Sequence, residues 1–566
     1  MTMTTSPAAS AARGGRHVLI AVAWPYANGV QHLGHLAGCY LPADIVARYH
    51  RLVGNHVLMV SGSDAHGTPI TVKADREGVT PADIVKRYHP LICEQWDRFG
   101  ISFDLFTTTM TDNHREVVWD LFRVLHDQGF IDTKVTEQFY DTEAARFLPD
   151  RYVEGTCPFC GNTNARGDQC DNCGKTLDPT DLIDPRSHLT GVTPELRETE
   201  HYFILLPKLA DELLAWLEGR DGWRPHVINW ARGFVKEGLI DRAITRDLAW
   251  GVPIPPELDT IGEGKRIYVW FEAVIGYLSA SKEWAQQTGD PDAWKRWWED
   301  PDAESYYFIG KDNIPFHAVF WPTYLLGYNH GDGRLNLPTN VPANQYVTFK
   351  GEKASKSRGI GTPLVEYLDT YSPDELRYAV AASLPEYADT DISEDDLVRR
   401  VNDELANDWG NLVNRVLTMT IKNYDGVVPT PGELDDDDRG LIADADSLLA
   451  EEGALLERVE LRAALKQALG IAQAANAYLN LKAPWKTAKT DMERTATTLW
   501  VALQAISAAM IAFAPFVPTS SAKVHGFLGH TGRLGDDGWA RPEVVAGASL
   551  GTPEVLFAKI DVAPHD

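Results

Sequence analysis

Five short runs in this 566-residue chain, 17–23, 56–61, 266–271, 305–309 and 345–349, are mostly too apolar to keep one face in water. Separated by stretches of helical character, they follow the pattern of parallel strands covered on both faces. The fold class expected is therefore α/β with a parallel sheet. In open sheets of this kind ligands bind outside the carboxyl ends of the strands, and polar and aromatic residues gather there. Trp24, Tyr26 and Asn28 follow the first run, Asp64 and His66 the second, Glu272 and Tyr277 the third, and Lys311, Asp312 and His317 the fourth. Each residue also has an ordinary structural reading: His66 and His317 as partly buried histidines, Asp64 as a cap, Trp24, Trp270, Trp321 and Tyr277 as core aromatics. Four run ends that agree favour a pocket, in which a carboxylate at Asp64 meets a ligand ammonium among aromatic walls.

Two motifs far apart in the chain suggest one nucleotide site built from two halves. His32-Leu33-Gly34-His35 follows the first run and opens a helical stretch. Its glycine lets a nucleotide approach the backbone, and its imidazoles can donate to phosphate at a helix N-terminus. Lys353-Ala354-Ser355-Lys356-Ser357 lies between Gly351 and Gly359. Two lysines and two serines on such a segment have the chemistry of a mobile pyrophosphate clamp. Either motif alone is weak; as an ordered pair they carry weight. The chain bears 80 acidic against 53 basic residues, net −27, which argues against a dedicated nucleic-acid binder. A local basic face survives on an acidic body, and Lys350, Lys353, Lys356 and Arg358 supply one.

Between the halves, Cys157-Pro-Phe-Cys160 and Cys170-Asp-Asn-Cys173 form two Cys-x-x-Cys hairpins, each followed by glycine. Four thiolates at this spacing fit one tetrahedral structural zinc and leave no open position for a catalytic water. Cys39 and Cys93 read as buried small apolar residues. Six cysteines in so long a chain do not make a disulfide scaffold, so a reducing, cytoplasmic setting is expected. No window of eighteen or more uninterrupted apolar residues is present. Residues 1–15 are rich in Ala, Thr and Ser and read as a disordered tail.

The last third is helical by periodicity. Leu461, Leu465, Leu469, Ala472, Ala475 and Leu479 share one face before Pro484, and Leu499, Leu503, Ile506, Met510 and Phe513 share another. The acidic stretch 433–438 reads as a solvated loop. Asn411 and Arg415 are four apart on one helix face, and Trp485 sits just past a helix end, where an indole can stack on a base. Pro42, inside the helix expected after His35, predicts a kink or break.

Taken in order, these elements resemble the methionyl-tRNA synthetases of class I from about His17 to Ile560. The marks are 23–29 (AWPYANG), 32–35, Gly62-Ser-Asp64-Ala-His66-Gly67, the four cysteines, and Trp270-Phe-Glu272-Ala273 with Ile275-Gly-Tyr277. Gly310-Lys311-Asp312 with His317 and Trp321, the lysine–serine motif, Asn411 with Arg415, and Ala483-Pro-Trp485 complete them. The resemblance implies a Rossmann-type catalytic core split by a zinc-containing insertion and followed by an α-helical anticodon-binding bundle. The divisions expected are 16–115 and 265–341 for the core halves, 116–264 for the insertion, 342–396 for a stem-contact segment with the lysine loop, and 397–566 for the bundle.

It further implies adenylation of methionine by Mg-ATP, then transfer to initiator and elongator methionine tRNA. His32, Gly34, His35, Lys353, Ser355, Lys356 and Ser357 would hold ATP, with His32, His35, Lys353 and Lys356 catalytic and Lys356 the more critical lysine. Ala23, Trp24, Tyr26, Asp64, Trp270, Ala273, Tyr277 and His317 would hold methionine, a Tyr277 hydroxyl or a backbone N–H near the sulfur adding discrimination. Apolar fit separates competitors by only about 1–3 kcal/mol per methylene, so homocysteine is expected to compete. Asn411, Arg415 and Trp485 would read the anticodon. Ala354, Glu272 and Val274 depart from the commonest family form. Nothing like the C-terminal appendage of dimeric members follows Ile560, so a monomer is expected. A synthetase for leucine, isoleucine or valine would carry a larger editing insertion, and a small-molecule nucleotidyltransferase would be far shorter. A non-catalytic descendant would be expected to lose His32, His35, Asp64 or Lys356, and all four are present.

Overall fold

The computed structural model describes residues 15–167, 170, 172–175, 177–349, 352–353 and 363–560. The tail over 1–14 and the residues Ser355, Lys356 and Ser357 lie outside them. At the centre is a five-stranded parallel sheet in the order Ala343–Asn344, Glu304–Gly310, His17–Val22, His56–Ser63, Leu105–Thr108. From Val18 to Val22 the middle strand is fully buried, with Ile20 opposite Met59 on one side and Tyr306 on the other. The chain leaves this strand for one flank, completes an insertion, and returns to the opposite flank. In open sheets of this kind such a reversal, at the carboxyl ends of the strands, marks the crevice where ligands bind.

Two expected strands are corrected. Of the run 266–271 only Arg266 and Ile267 lie in a strand, Lys265–Ile267, which pairs antiparallel with Thr245–Asp247 outside the main sheet. Val269–Thr288 is a helix, entered from extended Tyr268 and stopped at Gly289 with φ +83°. Val274 through Ser281 are all buried, and a helix buried all round shows the same unbroken apolar run as a buried strand. The run 345–349 contributes Val347–Phe349 to a separate small sheet with Glu352–Lys353 and Thr390–Asp391. The strand Leu105–Thr108 was not among those expected.

The insertion is antiparallel. Its long hairpin pairs Ile131–Asp141 with Glu195–Ile204; a smaller sheet around Val153–Thr156 carries the cysteines. The C-terminal bundle packs Asp436–Glu457, Leu461–Lys482 and Met492–Phe513. Met492–Phe513 is long and apolar enough to cross a membrane by composition, yet 94% of its apolar window is buried inside the bundle. The acidic stretch is not a loop throughout. Asp435 caps the helix Asp436–Glu457, and Asp436, Asp437 and Asp438 form its first turn, where carboxylates meet the positive end of the helix dipole. Asp438 is fully buried and takes Arg494 at 2.6 Å and the Tyr478 hydroxyl at 2.7 Å.

The expected disturbance near Pro42 takes a definite form. Leu33–His35 is one α turn, Leu36–Tyr40 winds as a π turn, and Leu41–Leu52 resumes the α-helix with Pro42 in its first turn. The Leu41 N–H bonds to the Leu36 carbonyl, five residues back.

Candidate active site

The crevice is closed by backbone. Tyr26 and Asp64 form a parallel bridge beyond the ends of their strands: the Asp64 N–H donates to the Pro25 carbonyl and the Ala27 N–H to the Asp64 carbonyl, both at 2.9 Å. The Asp64 carboxylate is 3% exposed and accepts from the His66 N–H at 3.0 Å. Burial, then the nearby Glu272 carboxylate, push it up to about 7. His66 Nδ1 lies 2.8 Å from Glu272, which is fully buried. Burial opposes ionisation of Glu272, but His66 and His114 outweigh it and hold the carboxyl at about 2. Burial also lowers His66, and the Glu272 charge reverses that. His66 thus pairs with one oxygen of Glu272. Among the described residues no lysine or arginine ion-pairs with Asp64, which leaves its charge for a ligand ammonium.

Aromatic side chains gather at the same strand ends. The Trp24 indole lies against Gly62 and Gly276: a Cβ on Gly62 would come within 2.3 Å of the ring, and one on Gly276 within 2.8 Å. Tyr26 covers Gly67 in the same way. Trp24 meets Tyr277 edge-on with centroids 6.5 Å apart. The Tyr277 hydroxyl is 2.6 Å from His317 Nε2, and His317 Nδ1 is 2.9 Å from the Asn313 carbonyl. Trp270 stacks on Phe316 at 4.1 Å. Ala273, half-buried, is three and four positions before Gly276 and Tyr277 on one helix face. Ala23, at the end of the middle strand, gives its carbonyl to the Tyr40 hydroxyl at 2.9 Å.

His32 caps its helix with its ring. Nδ1 of His32 accepts from the Gly34 N–H at 3.1 Å, while the His32 N–H donates to Nδ1 of His35 at 3.3 Å. The rings sit 3.8 Å apart. With both Nδ1 atoms accepting, each ring carries its proton on Nε2, the form that donates to a phosphate oxygen. The segment after the lysine motif returns to this turn: Pro363 forms a bridge with His32, and the Leu364 N–H donates to the Gln31 carbonyl at 2.8 Å. Lys353 pairs through its backbone with Thr348.

In the insertion, one ligand atom from each of Cys157, Cys160, Cys170 and Cys173 lies within 4.8 Å of the others. Sulfur separations of 3.9 Å (Cys157 to Cys173) and 3.6 Å (Cys160 to Cys170) are near the roughly 3.8 Å edge of a tetrahedron of 2.3 Å Zn–S bonds. The Gly161 and Gly174 N–H groups bond back to the Cys157 and Cys170 carbonyls, in turns that need φ near +73° and +72°. Burial pushes the Cys170 thiol up, and the N–H groups of Cys173 and Asn172 with the Asn162 amide bring it below the ordinary thiol value. The donor set suits zinc.

In the bundle, the Arg415 guanidinium lies 5.6 Å from the centre of the Trp485 ring and donates to Asn476 at 3.2 Å. Trp485 is 40% exposed, on a short helix entered through Ala483 at φ +46°. Asn411, exposed, begins the helix that carries Arg415.

The family model described as tRNA synthetases class I (M) matches residues 18–417, and that of the anticodon binding domain of methionyl tRNA ligase matches 428–565. A methionine–tRNA ligase of Roseiflexus castenholzii is 53% identical over 524 residues, 91% of this chain and 88% of that protein. One from Thermomicrobium roseum is 49% identical over 567 residues, 95% and 96% of the two chains. The chain belongs to the methionyl-tRNA synthetases. A Mycobacterium tuberculosis methionyl-tRNA synthetase solved with methionyl-adenylate superposes with a TM-score of 0.79 at 27% identity, over 96% of this chain and 100% of that one.

For a methionyl-tRNA synthetase the crevice holds one participant that sequence reasoning missed. His114, 1% exposed, faces the second Glu272 oxygen at 3.5 Å and bonds the Ser279 hydroxyl at 2.9 Å. No spacing pattern flagged it, because its partners lie on a helix more than 150 positions away.

Proposed function

We propose that this methionyl-tRNA synthetase activates methionine with ATP and charges initiator and elongator methionine tRNA, as a monomer in the cytoplasm. The observation that carries the residue assignments is the crevice itself. Asp64, an ionisable carboxylate that among the described residues ion-pairs with no lysine or arginine, is bridged to Tyr26 at a strand end where Trp24 packs on Gly62, and the two histidines of the capped turn follow the neighbouring strand. Asp64 takes the α-ammonium. Ala23, Trp24, Tyr26, Trp270, Ala273, Tyr277 and His317 enclose the thioether chain, whose polarizable sulfur suits aromatic walls.

The methionine carboxylate is already an anion near neutral pH, so no general base is needed for the first step. A carboxylate oxygen attacks the α-phosphorus, and the bond to pyrophosphate breaks. A hydroxyl of the terminal adenosine then attacks the methionyl carbonyl and AMP leaves. Positioning and charge stabilisation provide the rate. Nε2–H groups of His32 and His35 donate to phosphate beside Gly34, and Lys353 and Lys356, with Ser355 and Ser357, follow the charge onto pyrophosphate. Magnesium accompanies ATP as its counter-ion. Cys157, Cys160, Cys170 and Cys173 would hold one zinc, which would fix the insertion and leave no open position for chemistry. Asn411, Arg415 and Trp485 read the anticodon. These roles divide among the core halves 16–115 and 265–341, the insertion 116–264, the segment 342–396 and the bundle 397–566. Lys356→Ala tests the loop: adenylate formation falls by orders of magnitude if the assignment is right, and undiminished formation refutes it.

A further inference from the structure

The π turn that follows His35 presents its carbonyls in sequence to residues five positions on: Leu36 receives the Leu41 N–H. Next in line for the Ala37 carbonyl is Pro42, which has no N–H. The side-chain amide of Asn344 fills that place, donating to the Ala37 carbonyl at 2.9 Å from the outermost strand of the sheet. Asn344 is 1% exposed. Its own oxygen accepts from Arg224 at 2.5 Å, so its orientation is fixed with the N–H side toward the turn.

Arg224 is itself a buried junction, 7% exposed at the start of the insertion helix Pro225–Glu237. It donates to the Ala343 carbonyl at 3.0 Å and to the Val459 carbonyl of the bundle at 3.3 Å. Glu386 faces it at 3.6 Å and accepts the first N–H of the bundle helix Leu461–Lys482 at 2.7 Å. Insertion, sheet edge and bundle therefore meet at one guanidinium, one hydrogen-bonded side chain away from the π turn that directly follows His35.

We propose that Asn344 and Arg224 are positioning residues for adenylate formation. Asn344 supplies the hydrogen bond that Pro42 denies the π turn, and Arg224 ties that bond to the docked bundle. The inference rests on the reading of His32 and His35 as ATP ligands. An amide bond lost at a buried carbonyl lets the turn rewind, and the histidines move without either being altered.

The test is ATP–pyrophosphate exchange by the full chain carrying Asn344→Asp, an isosteric change that keeps an acceptor for Arg224 and removes the donor to Ala37. Expected are a fall in kcat of about tenfold, a methionine KM within about twofold of the parent, and recovery of most of the loss when Pro42→Ala returns an N–H to the turn. A purely structural defect would not be recovered by removing a proline at a different site. An unchanged kcat, or a loss that Pro42→Ala leaves untouched, overturns the proposal. If Asn344→Asp does not fold, Arg224→Met is read instead: a several-fold fall in kcat is expected, and parental kcat overturns the proposal. His35→Ala is assayed alongside. Normal exchange by His35→Ala removes the histidine reading itself, whereas a dead His35→Ala beside a normal Asn344→Asp removes only this inference.

Discussion

The Tyr277 hydroxyl donates its proton to His317 Nε2 at 2.6 Å. The direction is fixed because His317 Nδ1 must donate to the Asn313 carbonyl. Burial holds the imidazole down at about 4, so at neutral pH it is neutral and has only one proton to give. The tyrosine proton is therefore engaged within the protein, and toward a methionine sulfur the hydroxyl offers lone pairs. The Tyr277 hydroxyl thus acts on a nearby sulfur, as expected from sequence, only through its oxygen while its proton stays with His317. Tyr277→Phe leaves a buried nitrogen unpaired and is expected to cost about 1–3 kcal/mol of stability, measured by urea unfolding.

The same pair sets a pH dependence. Because the folded His317 value lies below that of a free imidazole, the unfolded chain binds the extra proton between them. The stability contributed by the neutral ring is complete above the ordinary imidazole value and is lost as pH falls toward about 4. Urea midpoints between about pH 7 and 4.5 should fall less steeply in His317→Gln than in the parent; equal slopes would contradict the assignment.

Asp64 titrates in the opposite sense of usefulness. Raised to about 7 by burial and by Glu272, it is partly protonated near neutrality, and only the carboxylate attracts an ammonium. The methionine KM should rise as pH drops through about 7, with the ATP KM steady, and methionine binding should release a proton near that pH. Calorimetry in buffers of different ionisation enthalpy reads that proton directly. A methionine KM flat across this window removes Asp64 from the ammonium site.

Trp24 depends on two absent side chains. A Cβ on Gly276 would press on the indole at 2.8 Å, and one on Gly62 would also meet the Thr107 carbonyl at 2.6 Å. Gly276→Ala is expected to raise the methionine KM about tenfold by displacing the ring. Gly62→Ala, which also meets rigid backbone, should cost about 1–3 kcal/mol of stability in addition.

Glu452 is a different kind of site. It is fully buried on the bundle helix Asp436–Glu457, and among the described residues neither carboxylate oxygen has a hydrogen-bond partner. Burial alone raises its carboxyl well above the ordinary value, so the folded state loses stability as pH rises above the range in which an unfolded glutamate ionises. Glu452→Met should raise the melting temperature at neutral pH, by an amount equivalent to about 1–3 kcal/mol, and less in acid. A lower melting temperature would contradict this.

How much of this the sequence disclosed depends on the distance over which each feature is encoded. The strands expected from 17, 56 and 305, the cysteine hairpins and the helically spaced apolar faces of the bundle are written in short stretches of sequence, and they were legible. So was the gathering of Tyr26 with Asp64, because the parallel sheet fixes where strand ends meet. The helix Val269–Thr288 looks like a strand at its start because Val269, Trp270 and Phe271 continue the apolar run of Ile267 and Tyr268 without a break. The pairs that lock the core together were invisible. Asp44 with Arg377 at 2.6 Å, Glu272 with His114, and Asn344 with Ala37 all join residues brought together only by the finished fold. No local pattern distinguishes a buried asparagine that repairs a proline from one on the surface.

Adenylation of methionine at this site is tested most directly by ATP–pyrophosphate exchange with each of the twenty amino acids supplied singly. Exchange that depends on methionine, with weak activity from other substrates, is the predicted result. Exchange driven by a different amino acid, or none from folded protein with its four cysteines metal-loaded, would contradict it.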